Sequence, residues 1–263
     1  MRLGLIGYGA IGGEVARTAQ ASGLGPGVQL AAVLVRRPRS DSDPLITHDP
    51  EIFFDRDLEV VVECAGHQAV QDHGVRCLGS GADLVLTSIG ALVDDGLRAR
   101  LEQAAAGAGK RLTIASAGIG ALDILGAAAV GGLERVQMTV RKDPSAWWGT
   151  EAEGLCDLAS LQEPLVIYEG TVREGAARYP QNVNIAAVVA LAGLGLDRTQ
   201  LTIVADPTIQ SHVIEIFAQG AFGSFRFVED VLPSADNPKT GRLVAMAVIK
   251  AIRQLAAPVV IGG

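Results

Sequence analysis

The chain has 263 residues, 49% hydrophobic and 19% charged, which is enough apolar material for one large or two moderate cores and excludes a disordered protein. A formal net charge of -7, with the 22 Lys and Arg residues scattered rather than clustered, leaves no basic field for a phosphodiester backbone and excludes nucleic acid as a partner. No apolar run reaches the roughly 18 to 20 uncharged residues of a membrane span, and the first strand-like run begins at Leu3 with no basic leader before it, so a soluble, cytoplasmic protein is expected.

Leu3 to Ile6 is apolar and runs into Gly7, Gly9 and Gly12 in G-x-G-x-x-G spacing, after which Glu14-Val15-Ala16-Arg17 are good helix formers. Strand, tight turn and helix in that order are expected of a dinucleotide site. Gly7 allows the turn, Gly9 lets a pyrophosphate approach the backbone, and Gly12 lets the helix pack close to the strand. The free N–H groups at the head of the helix, around Ala10 and Ile11, face the phosphates. A second apolar strand, Leu30 to Val35, ends in Arg36-Arg37-Pro38. A carboxylate near here favours NAD through the ribose 2′-hydroxyl, whereas arginine accommodates a 2′-phosphate. Arg36 is therefore a candidate cofactor contact and NADP is expected alongside NAD; solvated loop charges are the other reading of the same pair.

Ser40 to Asp57 is polar and broken by prolines, a connection with a short helix in which His48 belongs to a turn. Leu58 to Gly66 is a β-branched run ending in small residues, the composition of a buried parallel strand. Ligands of open α/β sheets lie beyond the carboxyl ends of strands, which places Glu63, Ala65, Gly66 and His67 along the path of a cofactor. His67 equally suits a helix start, and His73 reads as surface or packing. Gly81 to Gly90 repeats the pattern, with Ser88 in its terminal turn, and is followed by a helix from Asp94 to Ala108. Lys110 to Asp123 is a strand and a second glycine-rich turn, followed by an alanine-rich helix through Val130. Such alternation predicts a doubly wound parallel sheet of Rossmann type. Cys64, Cys77 and Cys156 are odd in number and lack metal-ligand spacing, so packing thiols in a reducing compartment and no metal site are expected.

From Glu134 the pattern changes. Val136 to Arg141 alternates apolar and polar, Ile185 to Ala192 is a strongly apolar helix, and Leu201–Asp206, Ser211–Phe217 and Gly223–Val228 are strand-like. The expectation is a second α+β domain carrying a mostly antiparallel sheet. The closing helix, Leu243 to Leu255, should return its apolar face to the first domain. The division expected is 1–120 plus 241–263 for the dinucleotide-binding domain and 121–240 for a substrate and dimerisation domain.

Several blocks carry a more specific signal: Val140 to Thr150 with its Trp-Trp pair, Glu169 to Arg178, Tyr179 to Asn184, Ala190 to Asp197, His212 within Ser-His-Val-Ile-Glu, Gly220-Ala-Phe-Gly223, and Asn237-Pro-Lys-Thr240. Taken in order over essentially the whole chain, they resemble the L-aspartate dehydrogenase family. The resemblance implies reversible oxidative deamination of L-aspartate with NAD or NADP, giving iminoaspartate or oxaloacetate plus ammonia, often in the service of NAD biosynthesis, by a homodimer joined through the second-domain sheet. By position, His212 resembles the catalytic histidine, and Asn182 and Ala117 resemble cofactor contacts. The turn Ser116 to Asp123 departs from the Pro-Ser-Gly-Ala type opening of the family, which leaves the exact residue facing the nicotinamide open by a position or so.

The chemistry implied asks for proton transfer at an amine, which suits a histidine because its ordinary pKa lies near working pH. Of the four histidines only His212 falls in the second half; pattern alone is also met by a hydrogen-bonded sheet histidine. Lys239 and Thr240, at the start of the closing helix, are candidates for the substrate carboxylates, since a helix N-terminus adds its own N–H groups; Asn237-Pro238 also reads as a plain helix start. Asn184 is a further candidate for the substrate, and Trp147 and Trp148 read as packing or dimer contacts. Two other functions fit the same fold: a reductase of another aspartate-derived metabolite, of the semialdehyde or dihydrodipicolinate type, and a nicotinamide-binding sensor that turns nothing over.

Overall fold

Aliphatic strands and amphipathic helices alternate through the first half: β1 (Arg2–Ile6), α1 (Ala10–Gln20), β2 (Gln29–Leu34), β3 (Ile46–Thr47), α2 (Pro50–Phe54), β4 (Val60–Glu63), α3 (His67–Gly79), β5 (Asp83–Leu86), α4 (Asp95–Ala108) and β6 (Leu112–Ile114). The computed structural model describes residues 1–38, 43–180, 184–234 and 241–262. Residues Met1–Ala117 and Ala245–Gly263 form one compact unit and Gly118–Val244 a second.

In the first unit six strands pair in the order β3-β2-β1-β4-β5-β6, all parallel. This is the doubly wound dinucleotide-binding arrangement, and the strand order reverses between β1 and β4. The strand interiors, Leu3 to Ile6, Ala31 to Leu34, Val60 to Val62 and Leu84 to Leu86, are apolar and buried, as expected where helices cover both faces of such a sheet. Leu3, Leu5, Val33, Val60, Val62 and Val85 form one cluster with Val15 of α1 and with Val248 and Ile252 of the closing helix α8 (Leu243–Ala256). Each fully buried Val or Leu contributes about 1.5 to 3 kcal/mol relative to exposure. Helix ends follow local chemistry. Asp49 caps α2 ahead of Pro50, Asp94 accepts from Leu97 N at the start of α4, and Gly109 ends α4 in the left-handed region. No helix among the described residues is long and apolar enough to cross a membrane.

The second unit opens with α5 (Leu122–Gly131), then β7 (Leu133–Lys142), β8 (Leu165–Thr171), α6 (Val172–Arg178), α7 (Asn184–Ala192), β9 (Gln200–Ala205), β10 (His212–Gly220) and β11 (Gly223–Val231). Its sheet has the order β11-β10-β7-β9-β8, antiparallel except for the parallel pair β7 and β9. Helices α5, α6 and α7 pack on it. Period-2 alternation along β7 and β10 buries Val136, Met138 and Val140 with Ile214, Ile216 and Ala218 under those helices. The β8–α6 pair had a legible signal in Thr171-Val-Arg-Glu174: the Thr171 hydroxyl accepts from Glu174 N and starts α6, in the T-x-x-E spacing of a helix entry.

Candidate active site

The turn after β1 is built for close approach. Gly7 has φ +103°, and a Cβ there would lie 2.8 Å from the Cys64 carbonyl oxygen; a Cβ on Gly12 would lie 2.3 Å from the Gly7 carbonyl oxygen. Gly9 differs, since no heavy atom of the described residues comes within 4 Å of its Cβ position. Gly9 is also the N-cap of α1; among the described residues no side chain caps this end and no acid stands in its first turn, so the N–H groups of Ala10, Ile11 and Gly12 and the positive end of the helix dipole are uncompensated by protein charge. A cavity of about 470 Å³ opens here, with Gly7, Gly9, Arg36, His48, Ala65 and His73 in its lining. An open glycine, an uncapped helix head and an arginine at the end of β2 fit a dinucleotide with its pyrophosphate on α1. His48 and His73, read from sequence as turn and packing residues, both line this cavity; burial also holds His73 below the ordinary imidazole pKa.

The rim beyond β4 and β5 is organised by one buried carboxylate. Glu63 Oε1 accepts from Ala65 N at 2.7 Å, Gly66 N at 2.8 Å and Ser88 Oγ at 2.9 Å, and Oε2 accepts from Ser88 N at 3.1 Å. Glu63 is 1% exposed, so these four bonds satisfy it in place of water. Three sequence candidates, Ala65, Gly66 and Ser88, are thus brought together by an acid that the sequence placed nearby without this role. The Ser88 hydroxyl donates to Glu63. Gly66, at φ +117°, caps α3 and leaves His67 as the first residue of that helix. Cys64, Cys77 and Cys156 are free thiols, and burial pushes Cys77 up to about 12.

In the second unit His212 begins β10 and is buried, paired with Val231 of β11. Gly241 stands beside it; a Cβ there would be 3.9 Å from His212 Nδ1. Asn182, Lys239 and Thr240 lie outside the described residues, and Asn184 heads α7. Ala117 is buried with φ +54°, in a turn whose Gly118 and Ala121 also have positive φ, a conformation that Ala adopts at a cost. Trp147 is fully buried and edge-on to Tyr179 at 5.9 Å, whereas Trp148 is exposed.

Two ionisable groups near His212 were not singled out from the sequence. Lys142 ends β7 and is buried. Glu229 of β11 accepts from Gly120 N at 3.2 Å, and burial raises its pKa to about 7, the Gly120 N–H partly offsetting this. The signal was present in both cases as a charge on the apolar phase of a strand: Lys142 follows Val136, Met138 and Val140 at period 2, and Glu229 stands between Phe227 and Val231. Arg141, on the opposite face, pairs with the buried Asp206 at 3.0 Å through Nε. Burial of Asp206 acts to raise its pKa, but hydrogen bonds from Thr208 and Arg141 outweigh it and hold the carboxyl below the ordinary range.

Comparison with known proteins joins the two halves. Residues 7–115 match the family model described as homoserine dehydrogenase, NAD binding domain, and residues 123–255 match aspartate dehydrogenase, C-terminal. The chain is 40% identical over 259 residues to an L-aspartate dehydrogenase of Pseudomonas aeruginosa, covering 94% of this chain and 95% of that protein. It is 41% identical over 264 residues to one of Ruegeria pomeroyi, covering 98% and 94%. A crystal structure of aspartate dehydrogenase from Thermotoga maritima shares the fold at a TM-score of 0.79 and 22% identity, over 100% of this chain and 99% of that one.

Proposed function

The chain belongs to the L-aspartate dehydrogenase family, and on that premise we propose that it catalyses the NAD(P)-dependent, reversible oxidative deamination of L-aspartate to iminoaspartate, which water converts to oxaloacetate and ammonia. The observation that carries this reading is that the similarity runs through both units without a break, so glycine turn and His212 strand come from one family rather than from a shared nucleotide fold alone.

A bound nicotinamide dinucleotide supplies the hydride acceptor. Gly7, Gly9 and Gly12, with the N–H groups of Ala10 and Ile11, would hold its pyrophosphate; Arg36 would take the ribose end and donate to a 2′-phosphate; Ala65, Gly66 and Ser88, fixed by Glu63, would serve as further contacts at the strand ends. Ala117 and Asn182 serve as further cofactor contacts. His212 holds the proton released by the substrate ammonium, so that the nitrogen lone pair can form the C=N bond as hydride leaves Cα. Asn184, Lys239 and Thr240 are assigned to the substrate. The protein works as a homodimer in the cytoplasm. The sheet face away from α5 to α7, bearing Val213, Phe217 and the exposed Val228, supports the first assignment, and three free thiols support a reducing compartment.

The direct test follows absorbance of the reduced nicotinamide with L-aspartate against neighbouring amino acids, with NAD and with NADP, and in reverse with oxaloacetate. Consumption of reduced cofactor that requires ammonia supports the reading; oxidation of the cofactor without ammonia, or with no amino or oxo acid at all, overturns it.

A further inference from the structure

The cavity beside the first glycine turn joins two stretches that lie far apart in the chain. From the end of β2 it takes Val35 and Arg36, and from α3 it takes Gln68, Ala69, Asp72 and His73, which at positions i, i+1, i+4 and i+5 share one face of that helix. Among the described residues that line it, Arg36 is the one lysine or arginine and Asp72 the one carboxylate. Both are exposed, and neither forms an ion pair among the described residues, with the other or elsewhere.

Asp72 is nevertheless held in place. Its Oδ1 accepts from Gln68 Nε2 at 2.8 Å, one turn back along α3, and no other hydrogen bond reaches the carboxylate among the described residues. Oδ2 therefore keeps its capacity to accept. His73 is engaged differently, with its ring 6.4 Å from that of Phe54, centroid to centroid, and with burial favouring the neutral imidazole. A dinucleotide fold suited to NAD offers a carboxylate to the 2′-hydroxyl of the adenosine ribose, and one suited to NADP offers an arginine to the 2′-phosphate. Here the end of β2 carries Arg36 and Arg37 and no acid. The fold brings the missing carboxylate to the same cavity from α3.

We infer that Asp72 is a specificity-determining residue: it accepts the ribose 2′-hydroxyl of NAD, while Arg36 meets the 2′-phosphate of NADP, so that one cavity takes either cofactor. This role rests on the reading of the cavity as the dinucleotide site. A carboxylate attracts the hydroxyl and repels a phosphate, so its removal moves the two affinities apart. Asp72→Asn is the variant of choice, because its amide oxygen still accepts from Gln68 and leaves α3 undisturbed. Isothermal titration compares wild type and variant with NADH, with NADPH, and with the NADH analogue that lacks the 2′-hydroxyl on the adenosine ribose. In Asp72→Asn the Kd for NADH rises by roughly 10- to 100-fold, as expected for a lost hydrogen bond to a charged group, while the Kd for NADPH stays level or falls. Wild type loses a similar factor on going from NADH to the deoxy analogue, and the variant hardly distinguishes the two. An equal rise for NADH and NADPH, or a variant that still discriminates against the deoxy analogue as wild type does, overturns the proposal and moves Asp72 to the adenine ring or to a structural role. Wild type that binds NADH with an affinity Asp72→Asn leaves unchanged refutes the role of Asp72 alone; wild type that binds neither NADH nor NADPH removes the dinucleotide reading of the cavity and the role of Asp72 with it.

Discussion

The carboxylate of Glu229 accepts the backbone N–H of Gly120 at 3.2 Å, tying a titratable group of β11 to a turn that departs sharply from ordinary backbone geometry. Burial raises the pKa of that group to about 7, above its ordinary 4.5. The folded protein then binds a proton here that the unfolded chain releases, so this residue's contribution to stability is complete below pH 4.5 and is lost as pH rises through about 7. Glu229→Gln keeps an acceptor for Gly120 and removes the titration. Urea unfolding at several pH values should show wild type losing stability relative to the variant between pH 4.5 and 7; parallel curves would count against this assignment.

Glu63 should be a positioning residue for the cofactor rim. Its removal in Glu63→Ala leaves the buried donors of Ser88 unmatched and frees the part-buried N–H groups of Ala65 and Gly66, at a cost of about 1 to 3 kcal/mol in unfolding free energy. NADH affinity should fall in the same variant. Ser88→Ala, which removes one bond of the set, should lose about 1 kcal/mol. Equal stability of Glu63→Ala and wild type in denaturant titration would remove this role.

The glycines of the first turn should separate into two kinds. At Gly12 a methyl group would meet the Gly7 carbonyl oxygen at 2.3 Å, so Gly12→Ala should destabilise the protein by about 1 to 3 kcal/mol, the usual cost of overpacking. At Gly9 nothing described lies within 4 Å, so Gly9→Ala should melt close to wild type yet lose NADH affinity, because the methyl group stands where the pyrophosphate approaches. Calorimetry and NADH fluorescence titration check the two halves separately. An intact NADH affinity in Gly9→Ala would move the pyrophosphate elsewhere.

His212→Ala should lower kcat by roughly 10² to 10⁴, the range of lost general acid–base catalysis, with NADH binding preserved. Pre-steady-state turnover near the wild-type rate would take His212 out of the chemistry. The same variant, if His212 only stabilised the sheet, would instead lower the thermal midpoint with kcat intact.

Arg36→Ala should weaken NADP binding by roughly 10- to 100-fold, as expected for a lost hydrogen bond to a charged group, and NAD binding by less than threefold. Isothermal titration with both cofactors distinguishes this from a solvated arginine, for which both affinities would stay put.

By itself the sequence determined the layered architecture, because hydrophobic periodicity and turn chemistry are local. Leu3 to Gly12 announces strand, turn and helix through residue spacing, and the alternation of Val136 to Val140 announces a sheet with one buried face. Whole-chain resemblance likewise supplied the reaction and pointed to His212. The partners of the polar residues were decided only by the tertiary structure. Glu63 meets Ser88 across 25 residues, and Gly120 meets Glu229 across 109. Lys142 comes opposite His212 only once β7 and β10 pair in register. Such meetings depend on strand order and register, set by how apolar faces pack over the whole unit, and no local pattern encodes them.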